Sequence, residues 1–229
     1  MAGENVTFPS NGSDGAGYLA RPAGGHGPGV VVIQEWWGLN DQIREVCDRF
    51  AGDGFVALAP DLYRGEVTRE PDEAAKLMMA LNLERAAKDM TGAVDFLAAH
   101  EAVTSKGVGV IGFCMGGGLA LWLATLRPEK VEAVAPYYGV IPWPAAQPDY
   151  SRLTAPVQGH YAELDGSADP AAVHALEEQL HGLGKSAEFF IYPGADHAFT
   201  NNHRPEVFHA EHTDTAWQRT LAFFREHVR

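Results

Sequence analysis

Short apolar stretches alternate with helical patterns along most of the chain, and this alternation constrains the fold more than any other feature. Residues 30–33 read VVVI and residues 55–59 read FVALA, without polar alternation. Such runs are typical of strands buried on both faces of a parallel sheet. Strands are predicted at 6–8, 18–20, 30–33, 55–59, 108–112, 131–135, 156–161 and 187–192. Helices are predicted after Asn40 or Asp41, from Pro71, over 83–100, after Cys114, over 170–183 and around Trp217 to Phe224. The order predicts an α/β fold, with a mostly parallel central sheet and helices on both faces.

The composition limits the functions that the chain can have. With 229 residues, of which 46% are hydrophobic and 21% charged, we expect one globular domain over residues 1–229. The net charge of -13 argues against a nucleic acid or an anionic membrane as partner. The N-terminus does not resemble a signal peptide, and no apolar run reaches the length of a membrane span. Two cysteines are too few for a disulfide framework, so we expect a cytoplasmic protein, as a monomer or small homo-oligomer.

Residues 112–116 read GFCMG and match the pattern Gly-x-nucleophile-x-Gly. In a nucleophile elbow, this turn between a strand and a helix lifts the central side chain above the sheet. The turn also places the backbone N–H of Met115 at a helix N-terminus, where it can stabilise an oxyanion. Glycines before a helix are also typical of tight packing alone. The predicted strand before Cys114 and the helix after it favour the catalytic interpretation.

A thiol nucleophile needs a base, and the base needs an acid that orients it. Elbow folds place these residues in the chain order nucleophile, acid, histidine. Asp165 follows the seventh predicted strand and His197 follows the eighth, so both are expected with Cys114 at the carboxyl edge of the sheet. Asp196 and Asp169 are rivals to Asp165. We prefer Asp165 because the side chains of adjacent residues, such as Asp196 and His197, usually point apart.

Motifs in several parts of the chain resemble those of the dienelactone hydrolase family, which has the α/β-hydrolase fold. The matching segments are QEWWGLN at 34–40, PDLY at 60–63, GFCMGG at 112–117, YYG at 137–139, Asp165, and YPGADHAF at 192–199. The resemblance implies a triad of Cys114, His197 and Asp165. It also implies an oxyanion hole made by the N–H groups of Trp36 and Met115. The implied activity is hydrolysis of a small ester or lactone, of the carboxymethylenebutenolidase type, without a cofactor.

Glu35 is a second unusual residue, because a carboxylate that ends a buried apolar strand is costly without a partner. One interpretation is a structural acid bonded to backbone amides or to an arginine. The other is contact with the Cys114 thiol, which would keep the nucleophile protonated. The resemblance implies the second arrangement, with Glu35 reorganised by substrate.

The residues expected to bind substrate depart from the family in one respect. Members that act on dienelactones are expected to hold the substrate carboxylate with two arginines, one of them four residues past the triad histidine. That position is Asn201 here, and the nearest arginine is Arg204. Arg64, Arg69 and Arg85 are candidates for the other arginine, without an unambiguous match. We expect a pocket wall that includes Trp37, Tyr137 and Phe199, although each of these could equally be a core residue. Further candidates are Trp36, Trp143, Met78 and Met79, and for the two methionines we favour core packing.

The remaining candidates are interpreted as structural. Cys47 lies on the apolar face of a helix and is expected to be a buried thiol. His160 falls late in a strand and is expected to be a core or edge histidine. His203, His209 and His212 with Glu206 invite a metal site, but no third ligand of clear geometry appears, so we predict none. The alternative to a hydrolase is a non-catalytic binding or redox-sensing relative that uses Cys114 as a reporter.

Overall fold

The computed structural model describes residues 3–10, 12–139, 141 and 143–229. Its strands are β1 (Glu4–Ser10), β2 (Ser13–Ala20), β3 (Gly27–Ile33), β4 (Val56–Pro60), β5 (Val103–Phe113), β6 (Val131–Tyr137), β7 (Val157–Ala162) and β8 (Ala187–Tyr192). Its helices are α1 (Asp41–Gly52), α2 (Pro71–Met79), α3 (Leu83–Ala98), α4 (Met115–Leu126), α5 (Pro170–Gly182) and α6 (Ala210–His227). The turn-forming residues at 9–12 predict a turn there, but Asn11 lies outside the described residues. The segment at 137–153, which is rich in proline and tryptophan, is predicted to be a loop, and its positions 140 and 142 also lie outside them.

The described strands form one sheet in the order β1-β2-β4-β3-β5-β6-β7-β8. Strands β3 to β8 are parallel, while β2 pairs antiparallel with both β1 and β4. Helices α1 and α6 cover one face, and α3, α4 and α5 cover the other. The predicted fold class is therefore confirmed. Since all six parallel strands point the same way, the loops after β3, β5, β6, β7 and β8 meet at one edge.

Local sequence explains where the helices begin. The Asn40 side chain accepts from the Ile43 N–H and caps α1, while Asn82 does the same for α3. Pro71 and Pro170 occupy the first positions of α2 and α5, where a proline loses no helical hydrogen bond. Within the described residues, no helix combines the length and the apolar character that crossing a bilayer requires.

Four strands begin earlier than the sequence predicts, namely β1 at Glu4, β2 at Ser13, β3 at Gly27 and β5 at Val103. The glycine-rich stretch before residue 30 is expected to be a loop, but β3 already starts at Gly27, which pairs with Val103 of β5. The reason is close approach of backbones, because a Cβ on Gly27 would collide with the carbonyl oxygen of Gly54. Glycine serves here as a strand residue that permits this contact.

Candidate active site

The turn between β5 and α4 has the geometry of a nucleophile elbow. Cys114 has φ 55° and ψ −122°, a backbone conformation that L-residues rarely adopt. The glycines on either side make the turn possible. A Cβ on Gly112 would collide with the carbonyl of Gly116, and a Cβ on Gly116 would lie 2.5 Å from the carbonyl oxygen of Ile33. The partly exposed Cys114 side chain stands at the tip of this turn, before the N-terminus of α4.

The packing of Gly116 against the end of β3 brings the segment after that strand close to the start of α4. The two residues expected to form an oxyanion hole lie on these segments. Trp36 is in the segment after β3, and Met115 is the first residue of α4. Neither backbone N–H has a hydrogen-bond acceptor among the described residues. Met115 is the first residue of α4, so its N–H lies at the positive end of the helix dipole. The two amides can therefore receive an external oxygen atom.

His197 and Asp165 form a close pair at the same edge of the sheet. Nδ1 of His197 lies 2.7 Å from Oδ2 of Asp165. The other oxygen of Asp165 accepts from the backbone N–H groups of Ser167, at 2.7 Å, and Ala168, at 3.0 Å. The Asp165 side chain is fully buried, and these donors fix its orientation. The rival acids are engaged elsewhere, since Asp196 accepts from the His197 N–H and Asp169 caps α5.

Charges around His197 favour its protonated form. Burial lowers the pKa of His197, but hydrogen bonds to Asp165 and Cys114 and the charges of both outweigh burial and raise it to about 10. Burial raises the pKa of Asp165, yet the bond and charge of His197, with the two backbone donors, bring it below its usual value. These interactions favour an imidazolium at His197 beside a carboxylate at Asp165. Because Nδ1 faces Asp165, the Nε2 side of the ring is left for Cys114.

Glu35 is buried at 1% exposure, but its partners differ from those expected. Its Oε1 accepts from the Tyr138 hydroxyl at 3.2 Å, and its Oε2 accepts from the Asn201 side-chain amide at 2.9 Å. Among the described residues, no hydrogen bond joins Glu35 to the Cys114 thiol. The alternative of backbone amides or an arginine as hydrogen-bond partners is not observed either. Two side chains that follow other strands hold the carboxylate instead.

Two of the four residues expected to bind substrate do not line an open surface. Tyr137 is 1% exposed, and its hydroxyl bonds to Thr220 of α6 inside the core. Phe199 is fully buried behind Tyr138 and Tyr192. Both rings therefore lie in the core, whereas the sequence predicts them in the wall of the substrate pocket.

The other two, Trp37 and Arg204, line a cavity of about 1000 Å³ that also reaches Asn201. Neither Cys114 nor His197 lines this cavity, but Asn201 bonds to Glu35 and Trp37 packs against Trp36. The cavity thus extends from the edge of the site. Of the further wall candidates, Met78, Trp36 and Trp143 pack in the core, whereas Met79 is 72% exposed, so core packing is wrong for Met79.

Tyr138 and Asn201 are contacts that the sequence analysis missed. Tyr138 directly follows β6, and its ring meets that of His197 edge-on at 5.2 Å. The sequence predicts this strand to end at residue 135, so the rule that residues just past a strand end reach the site selects Tyr138 over Tyr137 only once β6 is seen to end at Tyr137. Asn201 occupies the position, four residues beyond His197, where an arginine was expected, and nothing in the sequence indicates its hydrogen bond to Glu35.

The histidines and the second cysteine occupy structural positions. Cys47 is fully buried, and His160 is a buried core residue bonded to Tyr192 and Thr220, as predicted. His209 caps α6 by accepting from the His212 N–H, and the His212 ring bonds to the carbonyl of Pro193. His203 contacts Glu45 at 3.0 Å. The four groups suspected of metal binding are thus directed to separate partners, since Glu206 pairs with Arg204.

The sheet order, with an elbow after β5, an acid after β7 and a histidine after β8, defines the chain as an α/β-hydrolase. A family model described as the dienelactone hydrolase family matches residues 16–228. The chain belongs to this family and is a dienelactone hydrolase-like hydrolase.

Individual relatives match over nearly their whole length. The chain is 37% identical to "Protein usf" of Aquifex pyrophilus, over 99% of both chains. It is 33% identical to a protein of Aquifex aeolicus named "Putative carboxymethylenebutenolidase", over 99% of this chain and 100% of that protein. Among solved structures, a "Putative Dienelactone Hydrolase" of Klebsiella pneumoniae superposes with a TM-score of 0.88 at 30% identity, over 98% of both chains.

Proposed function

We propose that the chain hydrolyses a small ester or lactone, of the dienelactone type, through an acyl-enzyme on Cys114. The observation that carries the proposal is the 2.7 Å contact between His197 and Asp165 at the strand ends beside the elbow. A base held by a buried acid, facing a thiol on a strained turn, is the arrangement that nucleophilic catalysis requires. The names of the relatives support a lactone as the substrate class.

In the proposed mechanism, Sγ of Cys114 attacks the carbonyl carbon, and the thiol proton resides on Nε2 of His197. The N–H groups of Trp36 and Met115 stabilise the negative oxygen of the tetrahedral intermediate. His197 then gives its proton to the leaving oxygen, and a thioester remains on Cys114. Water attacks the thioester while His197 accepts one of its protons, and this proton returns to the departing sulfur. Asp165 keeps the imidazole oriented through both steps.

Arg204 is proposed to interact with an acidic group of the substrate, since it lines the cavity together with Trp37. Nε of Arg204 contacts Glu206 at 2.8 Å, so this interaction leaves the terminal guanidinium nitrogens for a ligand. We also propose that the chain acts as one domain in the cytoplasm, as a monomer or small homo-oligomer. The two free thiols are compatible with that reducing compartment. Cell fractionation and size-exclusion chromatography test these points.

The test of the function is hydrolysis of p-nitrophenyl acetate and of a lactone panel, with and without iodoacetamide. We expect turnover that disappears on alkylation and in Cys114→Ala. The matched control is Cys47→Ala, which removes the other, buried thiol and should retain turnover. Activity in Cys114→Ala equal to that of the parent chain would overturn the proposal. Absence of turnover on every activated ester and lactone would favour the non-catalytic alternative.

A further inference from the structure

The Glu35 carboxylate connects three loops that end different strands. Glu35 itself follows β3, Tyr138 follows β6, and Asn201 follows the segment that carries His197. Both carboxylate oxygens accept a hydrogen bond, one from each neighbour, at 3.2 and 2.9 Å. An ionised carboxylate accepts both of these hydrogen bonds, whereas a protonated one would donate its hydrogen to the Tyr138 hydroxyl, which can pass its own on to Thr200. The hydrogen bonds therefore fix the position of the Glu35 carboxyl group and are compatible with either protonation state.

Asn201 has no freedom to turn its amide the other way. Its side-chain oxygen accepts from the His203 N–H at 3.0 Å, so its NH2 group faces Glu35. Its backbone N–H donates to the carbonyl of Ala198, which closes the turn after His197. Asn201 is 2% exposed, and no solvent competes for these bonds. The amide donor is thus fixed by the loop that also fixes the triad histidine.

Tyr138 links the same carboxylate to the imidazole ring. Its hydroxyl contacts Glu35 at 3.2 Å and Thr200 at 2.8 Å, and its ring edge packs against His197. Burial outweighs all other effects and raises the pKa of Glu35 above its usual value, although the charge of His197 and the two hydrogen bonds oppose it. The charge of Arg204 opposes it more weakly. The positive charge that most strongly stabilises ionised Glu35 is therefore the imidazolium.

We propose that Asn201 and Tyr138 are positioning residues that hold the Glu35 carboxylate on the His197 side of the site, where its charge supports the imidazolium, and keep it off the Cys114 thiol. The proposal rests on the proposed function, since it gives His197 a second carboxylate beside Asp165. It also reverses the role that the sequence predicts for Glu35. A Glu35 carboxylate in contact with the Cys114 thiol would suppress thiolate formation. A Glu35 carboxylate close to His197 stabilises the imidazolium proton that the leaving group later receives.

The two placements of Glu35 predict different pH effects, so two titrations distinguish them. The first follows the imidazole of His197 by ¹H–¹⁵N NMR, with its signal assigned by loss in His197→Gln. The second measures the rate of Cys114 alkylation by iodoacetamide from low to neutral pH. Neither needs a substrate to turn over, so their outcome is independent of whether the ester is hydrolysed.

We expect Asn201→Ala and Glu35→Gln to lower the His197 midpoint by about one pH unit or more, because an opposite charge is displaced or removed. The acid limb of the alkylation profile should stay unchanged. Tyr138→Phe should act in the same direction with a smaller shift. Tyr150→Phe is the matched control, since that ring packs on the core beside α4 and should leave both titrations unchanged.

A double exchange tests positioning against simple loss of structure. In Glu35→Gln with Asn201→Asp, the amide and the carboxylate trade places, so the bond and the single negative charge are retained. We expect the His197 midpoint to return toward that of the parent chain. Each of three results would overturn the proposal. The first is an unchanged His197 midpoint in the single variants, and the second is faster alkylation of Cys114 at low pH in Glu35→Gln. The third is a His197 midpoint in the double variant that is no closer to the parent value than the midpoints of the single variants.

Discussion

Replacement of Asp165 by asparagine tests the orientation of the proposed base with almost no change in shape. One oxygen of Asp165 accepts from the backbone N–H groups of Ser167 and Ala168, and those donors need an oxygen atom. The asparagine oxygen must therefore take that position, and its NH2 group must take the position facing Nδ1 of His197. Nδ1 then becomes an acceptor, and the imidazole proton moves to Nε2. A neutral ring in this tautomer does not accept the thiol proton of Cys114.

The expected loss is large for a substitution of one atom. We expect kcat/KM for p-nitrophenyl acetate to fall about 10³- to 10⁴-fold near neutral pH, which corresponds to about 4 to 5.5 kcal/mol of transition-state stabilisation. Stability should change as well. The folded-state pKa of His197 is raised from 6.5 to about 10, so its contribution is complete below about pH 6.5 and is lost as the pH rises through about 10. Asp165 supplies only part of this contribution, since Cys114 also raises the pKa of His197, so the stability difference between the two proteins should narrow by about 2 kcal/mol across that window.

Steady-state kinetics and urea unfolding at both ends of the window measure these effects. The matched controls are Asp169→Asn and Asp196→Asn, which make the same change at the two rival acids. Asp169 caps α5, a role that asparagine also performs, and Asp196 accepts from the backbone N–H of His197. Both controls should keep most of the activity. Retention of more than a tenth of kcat/KM in Asp165→Asn, or a greater loss in either control, would refute the assignment of Asp165.

Three further substitutions test other parts of the site. Gly116→Ala places a Cβ 2.5 Å from the carbonyl oxygen that ends β3, so we expect the free energy of unfolding to fall by about 1–3 kcal/mol and the activity to fall as well. The control is Gly52→Ala, which has open space around it and should raise the free energy of unfolding by about 0.5–1 kcal/mol. Equal effects in the two urea titrations would contradict this reasoning. Tyr137→Phe removes a buried hydrogen bond worth about 1 kcal/mol and should leave KM unchanged, while a raised KM would return Tyr137 to the substrate pocket. Arg204→Gln should raise KM about tenfold for an ester with a free carboxylate but not for its neutral analogue, and equal KM changes for both would exclude the proposed contact.

The parallel part of the fold was predictable because each buried strand carries its own pattern. The run VVVI at 30–33 and the stretch AEFFIY at 187–192 identify strands from composition and flanking turns alone. The N-terminal part of β3 was not predictable, because Gly27 joins the strand for a reason that involves Gly54, a residue distant in sequence. Long-range backbone contacts of this kind leave no local periodicity.

The candidate triad was predictable for a related reason. Cys114, Asp165 and His197 each follow a strand, and parallel strands bring such residues to one edge. The hydrogen-bond partners of Glu35 could not be predicted in the same way. The sequence shows that Glu35 is a carboxylate in an apolar setting, but the hydrogen bond to Asn201 joins residues 166 positions apart. Adjacent tyrosines also look alike in sequence, and only the end of β6 determines that Tyr138 approaches the imidazole.

The backbone conformation of Cys114 has a consequence for how the chain would respond to selection. A side chain at φ 55° and ψ −122° carries strain of about 1–3 kcal/mol, whereas glycine adopts the same conformation readily. Cys114→Gly should therefore unfold at a higher urea concentration than Cys114→Ala, although both lack the thiol. A laboratory selection for heat resistance that ignores activity is expected to reach glycine at this position. At position 114, the residue that gives the higher stability is therefore not the residue that supplies the reactive sulfur atom.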